Sequence, residues 1–206
     1  HDFVYQTVSG LPSGNPATDI LNSIVNELYI TCAWLDITHG TSYGTADQLV
    51  KHTKLLTYGD DLIMSVSDEV CELFNNITIS GFFQRHGIVY TDATKTNEMI
   101  KYRKNIQDCT FLKRGFKPHP KRPFQWLAPL ELESSVQDVA CWIQKTPDKV
   151  AATLINVEAC ARNAYGHGPE LHSDIVTKLK EHLILSKLPP VDFRTWQEWD
   201  DLFYLQ

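Results

Sequence analysis

Lys54-Leu55-Leu56-Thr57-Tyr58-Gly59-Asp60-Asp61-Leu62-Ile63-Met64-Ser65-Val66 is the stretch on which the reading of this chain turns. Two short apolar runs flank a Gly-Asp pair, which predicts two strands joined by a tight hairpin over 54–66. Asp60 and Asp61 then stand side by side in the turn. Like charges held this close oppose each other, and a divalent cation between them and other acids relieves the repulsion. The competing reading is that Gly-Asp is only a good turn former.

Upstream, residues 3–8 read as a short strand, followed by a turn-rich loop, Gly10-Leu11-Pro12-Ser13-Gly14-Asn15-Pro16. A helix is predicted next, with Asn15 as N-cap and Pro16 at the first helical position. Ile20, Leu21, Ile24, Val25 and Leu28 form its apolar stripe. Thr18, Asn22 and Asn26 are four residues apart and share a polar face. Such a face can read the hydroxyls of a sugar, or it can simply meet water.

Downstream, Ser67 is expected to cap a broken helical stretch that ends at Gly87, followed by a short strand over 88–90. Residues 109–116 read as a strand within a hairpin. The character then changes. Helices are predicted over 135–144, from Thr146-Pro147-Asp148 to about Gly166, and from Pro169 onward with Leu171, Ile175, Leu179 and Leu183 on one face. Residues 193–206 carry Trp196, Trp199, Phe203 and Tyr204 among acids. The prediction is α+β to about residue 120, then an α-rich module.

Apolar residues make up 43% and charged residues 21% of the 206, a globular composition. No apolar run reaches the roughly 18 residues of a membrane helix. The first residues lack a basic, apolar leader and an initiator Met, so residue 1 reads as a cut end. Five cysteines without C-x-x-C spacing suggest neither a disulfide framework nor a zinc site. His167 and His172 are separated by Gly168-Pro169 and cannot share a helix face, and Cys109 and Cys141 have no evident base partner. The net charge of −6 hides a split: nine of the 19 Lys and Arg lie within 95–122. That strip is either a solvated face or a contact for a phosphate backbone.

Three strings, in order, resemble a known family. Ser13-Gly14 with Thr18 and Asn22 has the form S-G-x-x-x-T-x-x-x-N; Tyr58-Gly59-Asp60-Asp61 and Phe111-Leu112-Lys113-Arg114 follow. They look like motifs B, C and E of positive-strand RNA virus RNA-dependent RNA polymerases. The nearest likeness is to the picornavirus-like group, with Ser9 to Gly14 pointing to the dicistrovirus and iflavirus branch. The resemblance implies a partial right-hand polymerase palm (an antiparallel sheet with helices) over 1–120 and an α-helical thumb over 121–206.

It also implies roles. Asp60 would be the main ligand of Mg²⁺, with Mn²⁺ as a substitute, and Asp61 a secondary ligand. Ser13 and Gly14 would adapt to the incoming NTP, and Thr18 and Asn22 would help recognise its 2′-hydroxyl. Lys95 falls where motif D carries a lysine that protonates the leaving pyrophosphate. Lys113 and Arg114 would support the RNA primer strand near its 3′ end. The implied reaction is template-directed nucleotidyl transfer from an NTP to an RNA 3′-hydroxyl by a two-metal mechanism. Partners would be template and primer RNA, other viral replication proteins, and the fingers and motif A part of the same polyprotein. The setting would be membrane-associated replication complexes in host cytoplasm. The first catalytic carboxylate of that family lies upstream of Ser13, so this chain alone is expected to be inactive. A reverse transcriptase and a non-catalytic RNA-binding or scaffolding module are the alternatives.

Overall fold

The hairpin predicted over 54–66 is present. β1 (Thr53–Tyr58) pairs antiparallel with β2 (Asp61–Val66), in register from Thr53 opposite Val66 to Tyr58 opposite Asp61. The two-residue loop is Gly59-Asp60. Gly59 has φ +62°, a left-handed value that a Cβ would strain. The computed structural model describes residues 17–93, 98–141 and 145–204. Its contacts divide into two compact units, 1–103 and 104–206, ahead of the 120/121 boundary expected from the resemblance.

In the first unit, α1 (Thr18–Ile37) runs into a loop and α2 (Ala46–His52), then the hairpin, then α3 (Asn76–Arg85). Thr45 caps α2 by accepting from the Gln48 N–H, a start that the sequence reading left unassigned. The core gathers Ile30, Ala33, Trp34, Leu49, Phe74, Ile79 and Phe83, with Leu55, Leu62, Met64 and Val66 of the hairpin against it. Trp34 is fully buried, and its Nε1–H is satisfied by Tyr43 O at 2.9 Å and Thr45 O at 3.0 Å. Asn75 and Thr78 form a reciprocal capping box at the start of α3.

One expectation fails here. Residues 88–90 form no strand. Gly87, at φ +70°, ends α3 in a Schellman cap, with Ile88 N–H bonded to Phe83 O at 2.9 Å and Gly87 N–H to Gln84 O at 3.2 Å. The chain then turns back along the helix, and Tyr90 stacks on Phe83. The apolar stripe on α1 is present and lies open. Ile20 is 65% and Leu28 58% exposed, and Leu21, Ile24 and Val25 lie open beside them. The first half of α1 turns its polar edge to the hairpin instead. The helix starts after Ala17, with no side-chain cap, while Asn15 and Pro16 fall outside the described residues, as does the strand expected over 3–8.

In the second unit, β3 (Lys117–Pro118) pairs with β4 (Trp126–Leu127). Residues Leu132–Gln137 form a π-helical turn that leads into a short α4 (Asp138–Cys141), where one continuous α-helix was expected. α5 (Lys149–Ala164) is capped by Asp148, whose Oδ1 accepts from Ala151 N–H at 2.9 Å. α6 (Pro169–Leu185) begins at Pro169 as predicted and buries Ile175, Leu179 and Leu183 against Val157, Cys160 and Ala161. α7 (Trp196–Tyr204) closes the unit, and Trp196 and Trp199 bury with Leu127 and Tyr165. No helix among the described residues is long and apolar enough to cross a membrane.

Candidate active site

The Gly59-Asp60 turn is held from α1. Gly59 is buried, and its N–H donates to Ser23 Oγ at 2.8 Å. The Ser23 hydroxyl donates in turn to Asp19 O at 2.6 Å, so both of its functions are engaged. Asn26 Nδ2 donates to Asp60 O at 3.1 Å and, at longer range, to Gly59 O at 3.4 Å. Tyr58 Oη donates to Asp19 Oδ2 at 3.2 Å, and Thr57 Oγ1 to Glu27 Oε1 at 3.1 Å. The turn backbone is thus fixed at both peptide groups, while the carboxylates of Asp60 and Asp61 are exposed. Neither carboxylate has a hydrogen bond or ion pair among the described residues.

Two unpaired acids on a fixed backbone suit a hard divalent cation. They supply part of a donor set only. Among the described residues no group of three His, Cys, Asp or Glu side chains could hold a metal ion. The third acid nearest the turn, Asp19, accepts from Tyr58 rather than opening toward the pair.

The polar face predicted on α1 is real, but its members differ in use. Thr18 and Asn22 are half-buried, and the Asn22 side chain has no hydrogen-bond partner among the described residues. Asn26, in the same row, is committed to the turn. Ser23 was missed. The signal for it lay in the spacing: Asp19, Ser23 and Asn26 follow i, i+4, i+7 along the same edge as Thr18 and Asn22.

Ser13, Gly14 and Lys95 lie outside the described residues. Three residues before Lys95 in sequence, Asp92 belongs to a buried ion pair. Asp92, its side chain 2% exposed, accepts two bonds from Arg103, Nη2 at 2.7 Å and Nη1 at 2.9 Å. This fork-to-fork geometry is the strong form of the contact. Burial and the nearby Asp92 charge push the Tyr90 phenol up to about 12, so it stays a donor, to Asn76 Oδ1 at 3.1 Å.

Phe111-Leu112-Lys113-Arg114 is not a strand but the turn itself. Phe111 and Arg114 exchange backbone bonds at 2.9 and 3.0 Å. Leu112 at φ 52° and Lys113 at φ 60° are both left-handed. That is the signature of a type I′ turn, built here from two side chains that disfavour it. Lys113 projects with no partner among the described residues, whereas Arg114 Nη1 donates to Ala128 O at 2.7 Å. Most of the basic strip is likewise engaged internally. Lys101 pairs with Glu72, Arg103 with Asp92, Lys117 with His167 O, Lys121 with Gln197 and Arg122 with Asp200. Of these, only Arg103 and Arg122 are held by carboxylates that are themselves buried.

The family model of viral RNA-dependent RNA polymerases matches residues 1–184. The genome polyprotein of Deformed wing virus is 38% identical over 201 residues, 97% of this chain and 7% of that polyprotein. The replicase polyprotein of Drosophila C virus (strain EB) is 30% identical over 190 residues, 91% of the chain and 10% of the polyprotein. Among solved structures, the Sicinivirus 3Dpol RNA-dependent RNA polymerase superposes with a TM-score of 0.66 at 22% identity. The chain spans 36% of that polymerase, which covers 91% of this chain.

Proposed function

Because the chain belongs to the viral RNA-dependent RNA polymerase family, with the α+β palm-and-thumb fold of a picornavirus-like member, we propose that it forms the motif B to thumb part of a replicase. That replicase would carry out template-directed RNA synthesis. The observation that carries this reading is the acid pair. Asp60 and Asp61 are unpaired and exposed on a turn whose backbone is fixed by Ser23 and Asn26.

Mg²⁺, or Mn²⁺ in its place, would be held by Asp60 with Asp61, and would supply charge stabilisation at the reacting oxygens. The chain's own residues do the positioning. Thr18 and Asn22 offer half-buried polar groups that suit a ribose 2′-hydroxyl. Ser13 and Gly14, which precede them in sequence, would adapt to the incoming nucleotide. Lys95 would act as the proton donor to the departing pyrophosphate, a role worth roughly 10²–10⁴-fold. Lys113, on its strained turn, meets the primer strand, with Arg114 bracing the turn from within. Template and primer RNA, NTPs and other viral replication proteins are the partners of this reading, at membrane-associated complexes in host cytoplasm.

Among the described residues no third acid joins Asp60 and Asp61 as a metal-holding group, so the chain by itself would lack activity and the fingers and motif A part would complete it. In the complete polymerase, Asp60→Asn should abolish Mg²⁺-dependent primer extension while RNA binding persists. Near-normal extension by that variant would remove the acid turn from the chemistry. A purely RNA-binding or scaffolding role is disfavoured because an acid pair beside RNA repels phosphate unless a metal intervenes. Reverse transcription is separated from RNA synthesis by offering deoxynucleotides in the same assay.

A further inference from the structure

The family match ends at residue 184, yet the most densely bonded carboxylate described lies beyond it, on α7. Asp200 is 1% exposed. Its Oδ1 accepts from His119 Nε2 at 2.6 Å and from Tyr165 Oη at 2.9 Å. Its Oδ2 accepts from Arg122 Nη2 at 2.8 Å and Nε at 3.1 Å. The tautomer of His119 follows from its other nitrogen. Nδ1 accepts the backbone N–H groups of Lys121 and Arg122 at 3.1 and 3.0 Å, so the proton sits on Nε2 and points at Asp200. Burial alone would push the Asp200 carboxyl up. The bonds from Arg122, His119 and Tyr165 together outweigh it and hold the group below the usual range.

His119 and Arg122 belong to the loop that joins β3 to β4. This hairpin continues outward through Gly115 N–H to Pro129 O at 2.8 Å and the Arg114–Leu130 bridge, to the Leu112-Lys113 turn at its far end. So short a two-stranded ribbon is marginal in water on its own. Two left-handed side chains in succession persist only where the surroundings enforce them. Lys113 contributes no contact of its own to that enforcement. What fixes the ribbon is the α7 grip at its loop, with Tyr204 Oη reaching Trp126 O at 3.4 Å, and the 165–168 segment along its side. There Lys117 Nζ donates to His167 O at 2.7 Å and His167 Nε2 to Leu130 O at 2.8 Å.

We propose that Asp200 is a positioning residue for the Leu112-Lys113 turn: the C-terminal helix, through His119 and Arg122, holds the hairpin that presents Lys113 to the primer strand. The inference rests on the polymerase reading above, and its test separates the two. The experiment uses the complete polymerase on a primed RNA template, stalled after one incorporation and challenged with heparin. Extension by the wild type is the control, and its absence would sink the polymerase reading itself.

Asp200→Asn should shorten the lifetime of the stalled complex about tenfold, since changes at one interface appear mainly in dissociation. The single-turnover rate of complexes still intact should stay within about twofold, because the acid turn is untouched. Lys113→Ala should give a similar defect. The decisive measurement is the double variant, Lys113→Ala with Asp200→Asn. If Asp200 acts through Lys113, the double variant is no worse than the poorer single one. Multiplying defects, or an unchanged lifetime for Asp200→Asn, would overturn the proposal. Should Asp200→Asn fail to fold, Tyr165→Phe removes one donor to the same carboxylate and is read by the same cycle.

Discussion

Removing the Ser23 hydroxyl is the sharpest test of how the acid turn is held. Ser23→Ala leaves the buried Gly59 N–H without its acceptor at 2.8 Å, a penalty of roughly 1–3 kcal/mol. Alanine is the better helix former, which returns up to about 0.5 kcal/mol at a mid-helix position. The desolvated N–H dominates, and the net loss should be about 1–2 kcal/mol. Asn26→Ala removes a donor from carbonyls at 3.1 and 3.4 Å on an exposed turn that water can reach, so it should cost about 0.5–1.5 kcal/mol. The two residues hold one turn, so the double variant should show a coupling of about 0.5 kcal/mol or more. Urea unfolding of the chain gives the stability differences. Single-nucleotide incorporation by the complete polymerase gives the kinetic ones. If the whole of the Ser23 loss falls on alignment of Asp60, the rate drops roughly 5- to 30-fold at about 1.4 kcal/mol per tenfold. The reasoning fails if Ser23→Ala is as stable as wild type and extends at the wild-type rate. The turn would then be shaped by its own residues and not by α1.

Two further outcomes follow from other contacts. Arg103→Leu strips a buried carboxylate of its countercharge and should destabilise by about 3–5 kcal/mol. At roughly 2–4 °C per kcal/mol for a chain of this size, the thermal midpoint followed by circular dichroism should fall by at least about 6 °C; a shift under about 2 °C would contradict the buried-pair assignment. Ile24→Lys replaces an exposed apolar residue and should leave the stability of this chain within about 0.5 kcal/mol. The same change in the complete polymerase should reduce primer extension, and full extension there would mean that the α1 face stays bare.

The parts of the fold that rest on local chemistry were legible in the sequence. Gly59-Asp60 between two short apolar runs pointed to a two-residue hairpin, and Asp148 and Pro169 marked helix starts that the structure keeps. The misses have two causes: local bonds that override strand propensity, and partners distant in sequence. Residues 88–90 have strand propensity, but the Schellman cap and the Phe83–Tyr90 stack give them a better place. The 109–116 run also reads as strand, yet the backbone bonds between Phe111 and Arg114 force a turn through two residues that resist it. Asp200 gave no sign of itself, because one Asp among the acids of the tail looks solvated until His119 and Arg122 are brought to it. The basic strip misled in the opposite sense. Clustering of charge in sequence is not clustering on a surface, and Arg103, Lys117 and Arg122 are committed to internal acceptors.

The acid turn and the bare apolar stripe are features of one helix. At about 100° per residue, Ser23 and Asn26 lie on one side of α1, and Ile20, Ile24 and Leu28 lie about 90°, 130° and 170° around the helix from their midpoint. The roll of α1 about its axis therefore sets both faces at once. A side-chain atom rides about 5 Å from that axis, so a roll of about 15° carries it by about 1.3 Å. That displacement is enough to break the 2.8 Å bond from Gly59 N–H to Ser23. Misplacement of about 1 Å at a reacting centre can lower a rate by about 10². Packing against the apolar stripe would fix the roll from the far side, where the structure leaves it open over five large side chains. In the reading proposed above, whatever covers Ile24 and Leu28 therefore does more than hide apolar surface. It sets the rotation at which Ser23 and Asn26 meet the turn that carries Asp60, so a defect at Ile24 should appear in the extension rate even where the polymerase stays folded.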